Sequence, residues 1–444
     1  MRAVYLALLL FLRCSEHTAG SFFKKDTCDG GGSRPLPTGY PLRRLKPGEV
    51  FWANYTREWD QFMDILYVPQ SSPLSSDAMA CSHWVVVATA GARADDVEAF
   101  MASTVSKLAH APCVAYVTAS DIKNGDIRAL ENKYPSIFKL LDSAYITELG
   151  KAIEFVKMME EHRSNTHALR NIGYIYAMLH GARTITDMQL DVRLPEGASG
   201  ALLQLPRDSL LTPPPSVQVH RVRHGADHKE PRLDLDIRSL VGRSSSPANV
   251  SSSPGGPNPN PTLVEEPVFI DSSSVYVLSP LLDKSLGGRT AVLLPKGLYA
   301  AYDAQATVHM WQSFWTLFLP VTVPERESSM VRSFVAERLA QDISGAHVLF
   351  AEPFFGRSAA RATAAARQDD PSLQSRMHLL TRKLREFRST TGRCAQSRIE
   401  ELYALLYELG FVEHRDFACL FYWLRAFFAI KSSFPSLKEH LHSM

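Results

Sequence analysis

Asp187 and Asp191 are the carboxylates with the most chemistry open to them. They stand four residues apart, just after Ala182-Arg-Thr-Ile-Thr186, a segment that reads as a buried strand. A carboxylate at the end of such a strand faces the crevice where open α/β sheets bind ligands. Oxygen donors of this kind suit a hard divalent cation, Mn or Mg, which would offset the charge of a pyrophosphate leaving group such as that of a nucleotide sugar. The spacing converges on one ion only if the loop turns, and acidic residues in such loops are otherwise solvated. Gln189, between the pair, offers an uncharged amide oxygen. On the phosphate side, Arg170 carries the forked donors of a phosphate clamp, and its plainer role is a surface cation at a helix start. His180 stands beside Gly181 and either joins that site or simply favours a helix C-terminus. Glu325 and Asp303 are the candidate acids or bases, one of which an inverting transfer would need near an acceptor hydroxyl. Glu325 follows Pro324 and equally suits the first turn of a helix. Trp311, Phe314 and Trp315 stack on a sugar or, more simply, pack a core.

These residues need elements to hold them. Trp84–Thr89 is a continuous β-branched run, as in a strand covered on both faces. Helical spacing follows at Val97, Phe100, Met101, Val105 and Leu108, then a second strand at Cys113–Thr118, which makes a βαβ unit and a parallel sheet. Helices are expected at Ile127–Leu141 and Tyr145–Glu161. Asn165 or Thr166 caps a third, with Leu169, Ile172, Tyr176 and Leu179 as its apolar face and Gly181 at its end. Val275–Leu278, Thr290–Leu294 and Ala346–Phe350 read as strands, and Glu325–Leu339 as a helix. Further helices are expected within 370–434, at Arg398–Leu409 and Phe417–Ile430 among them.

Composition sets the remaining bounds. The chain has 444 residues, 45% of them apolar, and a formal charge of +2. No global field or basic stripe with interleaved aromatics favours nucleic acid. Six cysteines are scattered without a zinc-binding spacing. There is no Gly-x-Ser-x-Gly elbow, Walker loop, Gly-x-Gly-x-x-Gly or His-Glu-x-x-His. Arg2 and the apolar run Ala3–Leu12 match a secretory signal, and the run falls short of the roughly 20 residues of a bilayer span. Asn54-Tyr-Thr56 and Asn249-Val-Ser251 are glycosylation triplets of a glycoprotein. The expected organisation is a signal peptide or signal anchor at 1–20, a stem at 21–82, half-domains at 83–191 and 264–356 around a disordered Pro/Ser-rich insertion at 192–263, and a helical region at 370–434.

Three segments resemble one family. They are Arg170-Asn-Ile-Gly-Tyr-Ile-Tyr-Ala-Met-Leu-His-Gly-Ala-Arg183; Leu294-Pro-Lys-Gly-Leu-Tyr-Ala with Trp315–Val323; and Arg332-Ser-Phe-Val-Ala-Glu-Arg-Leu with Asp342-Ile-Ser-Gly345. Their order and spacing resemble the STELLO-like family, the former DUF288 group of Golgi proteins. The resemblance implies an α/β fold of the GT-A glycosyltransferase type, with a mostly parallel sheet and a helical C-terminal region. It implies a type II membrane protein with its body in the Golgi lumen, the alternative being a secreted or soluble lumenal form. An active member would use a nucleotide-sugar donor, a divalent metal and a glycan acceptor. An inactive one would support assembly or trafficking of a polysaccharide synthase or another Golgi membrane protein, and a third reading is a lectin-like module. Relatives carry closely spaced aspartates where this chain has Asp187-Met-Gln-Leu-Asp191, so the acidic motif is depleted here.

Overall fold

The computed structural model describes residues 81–89, 91, 94–103, 105, 112–119, 125–193, 216–223, 262–269, 275–277, 291–293, 299–302, 306–343, 346–350, 356–357, 371–389 and 395–430. The segments 1–20 and 21–80, both glycosylation triplets, Asp303, Cys14, Cys28 and Cys394 lie outside these residues.

Alternation in the first strands sets the layers. In β1 (His83–Thr89) and β2 (Cys113–Thr118), Trp84, Val86, Ala115 and Val117 point to one side, and Val85, Val87, Val114 and Tyr116 to the other. Both sides are buried, which explains why neither strand shows a polar face. Val97, Phe100 and Met101 of α1 (Ala94–Ser103) and Ile127 and Leu130 of α2 (Gly125–Lys133) cover one side. The other is covered by α3 (Ser143–Ala152), α4 (Glu154–Glu160) and α5 (Thr166–Leu179). A disulfide joins Cys81, just before β1, to Cys113 at the start of β2.

The sequence reading differs from the structure at Phe138–Leu141. The spacing there suggested the end of a helix, yet these residues form β3, parallel to β2. Pro135 closes the helical stretch early and frees a short apolar run to pair with the sheet. The expected helix over Tyr145–Glu161 is likewise two helices, broken where Ile153 takes an extended backbone.

The sheet continues through β4 (Thr184–Met188), and β5 (Val192–Arg193) forms a separate two-stranded ribbon with β12 (Gly356–Arg357). Inside the stretch read as an insertion, β6 (Ser216–Arg223) pairs antiparallel with β7 (Thr262–Phe269) and parallel with β9 (Ala291–Leu293). β8 (Val275–Val277), β10 (Ala306–Met310) and β11 (Val348–Phe350) complete a ten-stranded sheet ordered β3-β2-β1-β4-β10-β8-β11-β9-β6-β7. β3, β2, β1 and β4 run parallel to one another, and β10 is antiparallel to both of its neighbours. This mixed, mostly parallel sheet with a helical C-terminal region is the GT-A-like α/β architecture expected.

A 3-10 helix (Trp311–Leu317) leads into α6 (Glu325–Ala340), and the C-terminal region is α7 (Pro371–Glu386), α8 (Ala395–Glu408) and α9 (His414–Ile430). α9 covers the helix expected at Phe417–Ile430, and it buries Phe417, Leu420, Phe421, Trp423, Leu424 and Phe427. Among the described residues no helix is long and apolar enough to cross a membrane. That finding overturns the expected signal-anchored, type II membrane placement. The Ala3–Leu12 run itself lies outside the described residues.

Candidate functional site

Among the described residues, parts of the three segments singled out in sequence pack together, and two of them, through Arg170 and Arg332, reach one buried carboxylate. α5 begins where Asn165 accepts a hydrogen bond from the His167 amide, as its type and position required. It ends at Gly181, whose φ of +80° is readily available to glycine. Between these ends Gly173 lets the helix lie directly on β1 and β2: a Cβ there would stand 2.6 Å from Val86 Cγ1 and 2.9 Å from Val117 Cγ2.

α5 also fixes the chain that leads to α6. The Asn171 side chain donates to the Leu319 carbonyl at 2.8 Å and accepts from the Leu319 amide at 3.1 Å, imitating a strand pairing. Asn165 donates to the Val321 carbonyl at 2.9 Å. The start of α6 then lies beside the start of α5. Glu325 accepts from the Thr166 amide and hydroxyl, and the Ser329 hydroxyl sits 3.5 Å from His167 Nε2.

Asp187 lies below this helix pair. The expected strand stopped at Thr186, but β4 runs on to Met188, pairing Asp187 with Val86 on β1 and Thr307 on β10. The two-residue alternation puts its side chain on the face of Ile185, towards α5 and α6. One carboxylate oxygen accepts from Arg170 Nη1, and the other accepts from Arg332 Nη1 at 3.2 Å. All three side chains are buried.

The surroundings keep the pair of cations charged and the other groups neutral. Burial alone would lower the pKa of Arg332, but the Asp187 carboxylate beside it and their hydrogen bond act in the opposite direction. Arg170 is governed in the same way, with Asp187 the main counterweight to burial. Burial raises the pKa of Tyr174 and of Tyr302, so both phenols stay protonated. Burial, reinforced by Arg170 and Arg332, holds His167 well below its ordinary value. His309 is lowered by burial and by Arg332, and is neutral between the hydroxyls of Thr316 (2.8 Å) and Thr307 (3.3 Å).

The other candidates have different surroundings. Asp191 is half-buried in the turn between β4 and β5, and its Oδ1 has no hydrogen-bond partner. Gln189 is half-buried and accepts from the Val192 amide through its backbone carbonyl. His180 caps the end of α5 and stacks against Tyr176, ring centroids 4.2 Å apart. Glu325 is exposed and serves as an acceptor for the first turn of α5. Among the described residues no group of three His, Cys, Asp or Glu side chains is placed to hold a metal ion. Trp311 is half-buried and Phe314 and Trp315 are core residues.

Arg332, His167, Tyr174 and Tyr302 were not legible as members of this site. Arg332 sits in a helix buried at nearly every position, where the small residues Ser328, Ser329 and Ala336 stand on its own face three and four residues away. A cation among small residues was a signal, but its partner lies 145 residues earlier in the chain.

No protein-family model and no curated protein matches the chain, so the STELLO-like resemblance rests on its sequence motifs alone. Among solved structures, the mannosyltransferase PcManGT from Pyrobaculum calidifontis, in complex with GDP-Man and Mn2+, is similar at 10% identity and a TM-score of 0.30, over 85% of this chain and 94% of that one.

Proposed function

We propose that this chain is a non-catalytic GT-A-like protein that acts by association, supporting the assembly or trafficking of a polysaccharide synthase. One observation carries the first half of this reading: both oxygens of Asp187 are taken by guanidinium groups inside the core. A divalent ion would have to displace two charge-assisted hydrogen bonds and enter beside two cations. The carboxylate at the family's acidic position is thus engaged in holding β4, α5 and α6 together. The synthase as partner follows from the sequence motifs. The finer transferase reading, with a Mn- or Mg-held nucleotide sugar and a glycan acceptor, is the alternative that the same test distinguishes.

The test is calorimetric titration of the purified chain with GDP- and UDP-sugars, with and without Mn, alongside Asp187→Asn. No metal-dependent donor binding is expected. Asp187→Asn is expected to lower stability by about 3–5 kcal/mol, because it strands two buried cations. Mn-dependent binding that disappears in a folded Asp187→Asn protein would reverse the reading in favour of the transferase. Co-elution of the chain with a detergent-solubilised polysaccharide synthase is the expected positive result; its absence across synthases would leave no support for that partner.

A further inference from the structure

The buried cluster carries more cation than its carboxylate can neutralise. Arg170 and Arg332 share the single charge of Asp187, while the nearby phenols and imidazoles are neutral. Arg332 is 1% exposed, and it spends only Nη1 on Asp187. Its Nε and Nη2 have no hydrogen-bond partner, and neither do the Tyr302 hydroxyl or His167 Nδ1, all of them buried. Guanidinium donors left without acceptors in a core are unfavourable, so donors of this kind normally find one.

Nε and Nη2 form one straight edge of the guanidinium, and that edge matches two oxygens of a carboxylate or phosphate in parallel hydrogen bonds. The Tyr302 ring lies beside the same guanidinium, its centroid 5.5 Å from Cζ, within cation–π range. We infer that the Nε/Nη2 edge of Arg332 is a binding site for a small oxyanion, a phosphate or a carboxylate group, which completes the charge balance of the Arg170–Asp187–Arg332 triad. Tyr302 supplies a further donor from its hydroxyl. Because the surrounding side chains are buried, the ligand is small and reaches the site by local opening of the α5–α6 layer. The inference rests on the same triad as the proposed function but not on the absence of sugar transfer. A chain that transfers sugar could still hold this anion, and a chain that does not could lack it.

The experiment follows the thermal midpoint of the full chain while sodium chloride is replaced by sodium phosphate or by sodium acetate at constant ionic strength. Wild type is compared with Arg332→Lys, which keeps the charge but loses the two-donor edge, and with Tyr302→Phe, which keeps the ring and loses the hydroxyl. A saturating rise with at least one anion is expected in wild type. Its apparent affinity should fall by about tenfold or more in Arg332→Lys and by about threefold in Tyr302→Phe. A response to phosphate alone assigns a phosphate group, and a response to acetate alone assigns a carboxylate. Phosphate also stabilises proteins generally by exclusion from their surface, but that effect does not saturate and is the same in all three proteins. Equal shifts in the three, or no saturating shift with either anion, would overturn the assignment. If Arg332→Lys does not fold, Tyr302→Phe decides: unchanged affinity there counts against the site.

Discussion

His167 and His309 sit inside the core beside fixed cations, and each is held well below the ordinary value of 6.5. The unfolded chain takes up a proton at each position once the pH falls through that value, while the folded chain does not. Their contribution to stability is therefore complete above about pH 6.5. It is lost below it at up to about 1.4 kcal/mol per pH unit for each histidine, until the folded pKa is reached. Glu337 has the opposite sign: burial holds it well above 4.5, so it favours the fold more as the pH falls towards that value. Urea denaturation of wild type and His309→Gln at pH 7 and pH 5.5 separates the two. The variant should lose less stability across that interval, and an identical loss would show that His309 is not buried neutral. At the same scale, Asp187 illustrates how far a residue's type underdetermines its role. A carboxylate near a strand end suits a metal, but a carboxylate within the strand, facing two arginines, is the counter-ion of a core.

The element that matters most is α5, whose sequence specified its own limits. Asn165 and Gly181 were legible because capping and a left-handed terminus are local demands. Gly173 was less so, since a mid-helix glycine ordinarily costs helical stability. Its reason is the contact with Val86 and Val117, which no local pattern reveals. Gly173→Ala gains about 1 kcal/mol of helix propensity but forces a methyl group into those side chains, at about 1–3 kcal/mol. A net loss of about 1 kcal/mol is expected in chemical denaturation. Adding Val86→Ala should recover part of it, which a double-mutant cycle would register as coupling. If Gly173→Ala proves as stable as wild type, the close approach of α5 to the sheet is mistaken.

Across the whole molecule, a second ion cluster binds the helical C-terminal region to the sheet domain. Asp342, just beyond α6, accepts from Arg338 and Arg398, each at 2.8 Å. Arg338 also donates to the carbonyls of Leu384 and Phe387 at 3.0 Å, so Arg338 ties α6 to the end of α7 while Asp342 ties α6 to α8. Asp416, on α9, accepts from the amides of Val321 and Thr322 at 2.6 and 3.1 Å and so secures the chain that Asn171 and Asn165 hold from the other side. Asp342→Ala leaves the buried Arg338 and the half-buried Arg398 without their shared carboxylate and is expected to cost about 3 kcal/mol. Hydrogen exchange should rise first in 371–389 and 395–430 and least in β1 and β2. A uniform rise across both regions would mean that the helices do not depend on this link.

How much was legible follows from range. The βαβ start, the helix caps, the apolar face of α5 and the helical runs of α6, α8 and α9 depend on neighbours within a turn or a strand, so periodicity and residue type determined them from the sequence alone. The same local evidence raised Asp187 and Arg170 as chemically important and left their pairing open. Phe138–Leu141 and β10 needed partner strands to declare themselves. The surroundings of Asp187 were decided only in three dimensions, because β4 lengthens by pairing with β1 and β10, and that pairing turns the carboxylate towards an arginine 145 residues further along the chain. Charge acts through space at a few ångströms, and a linear chain does not record which distant charges the fold brings that close.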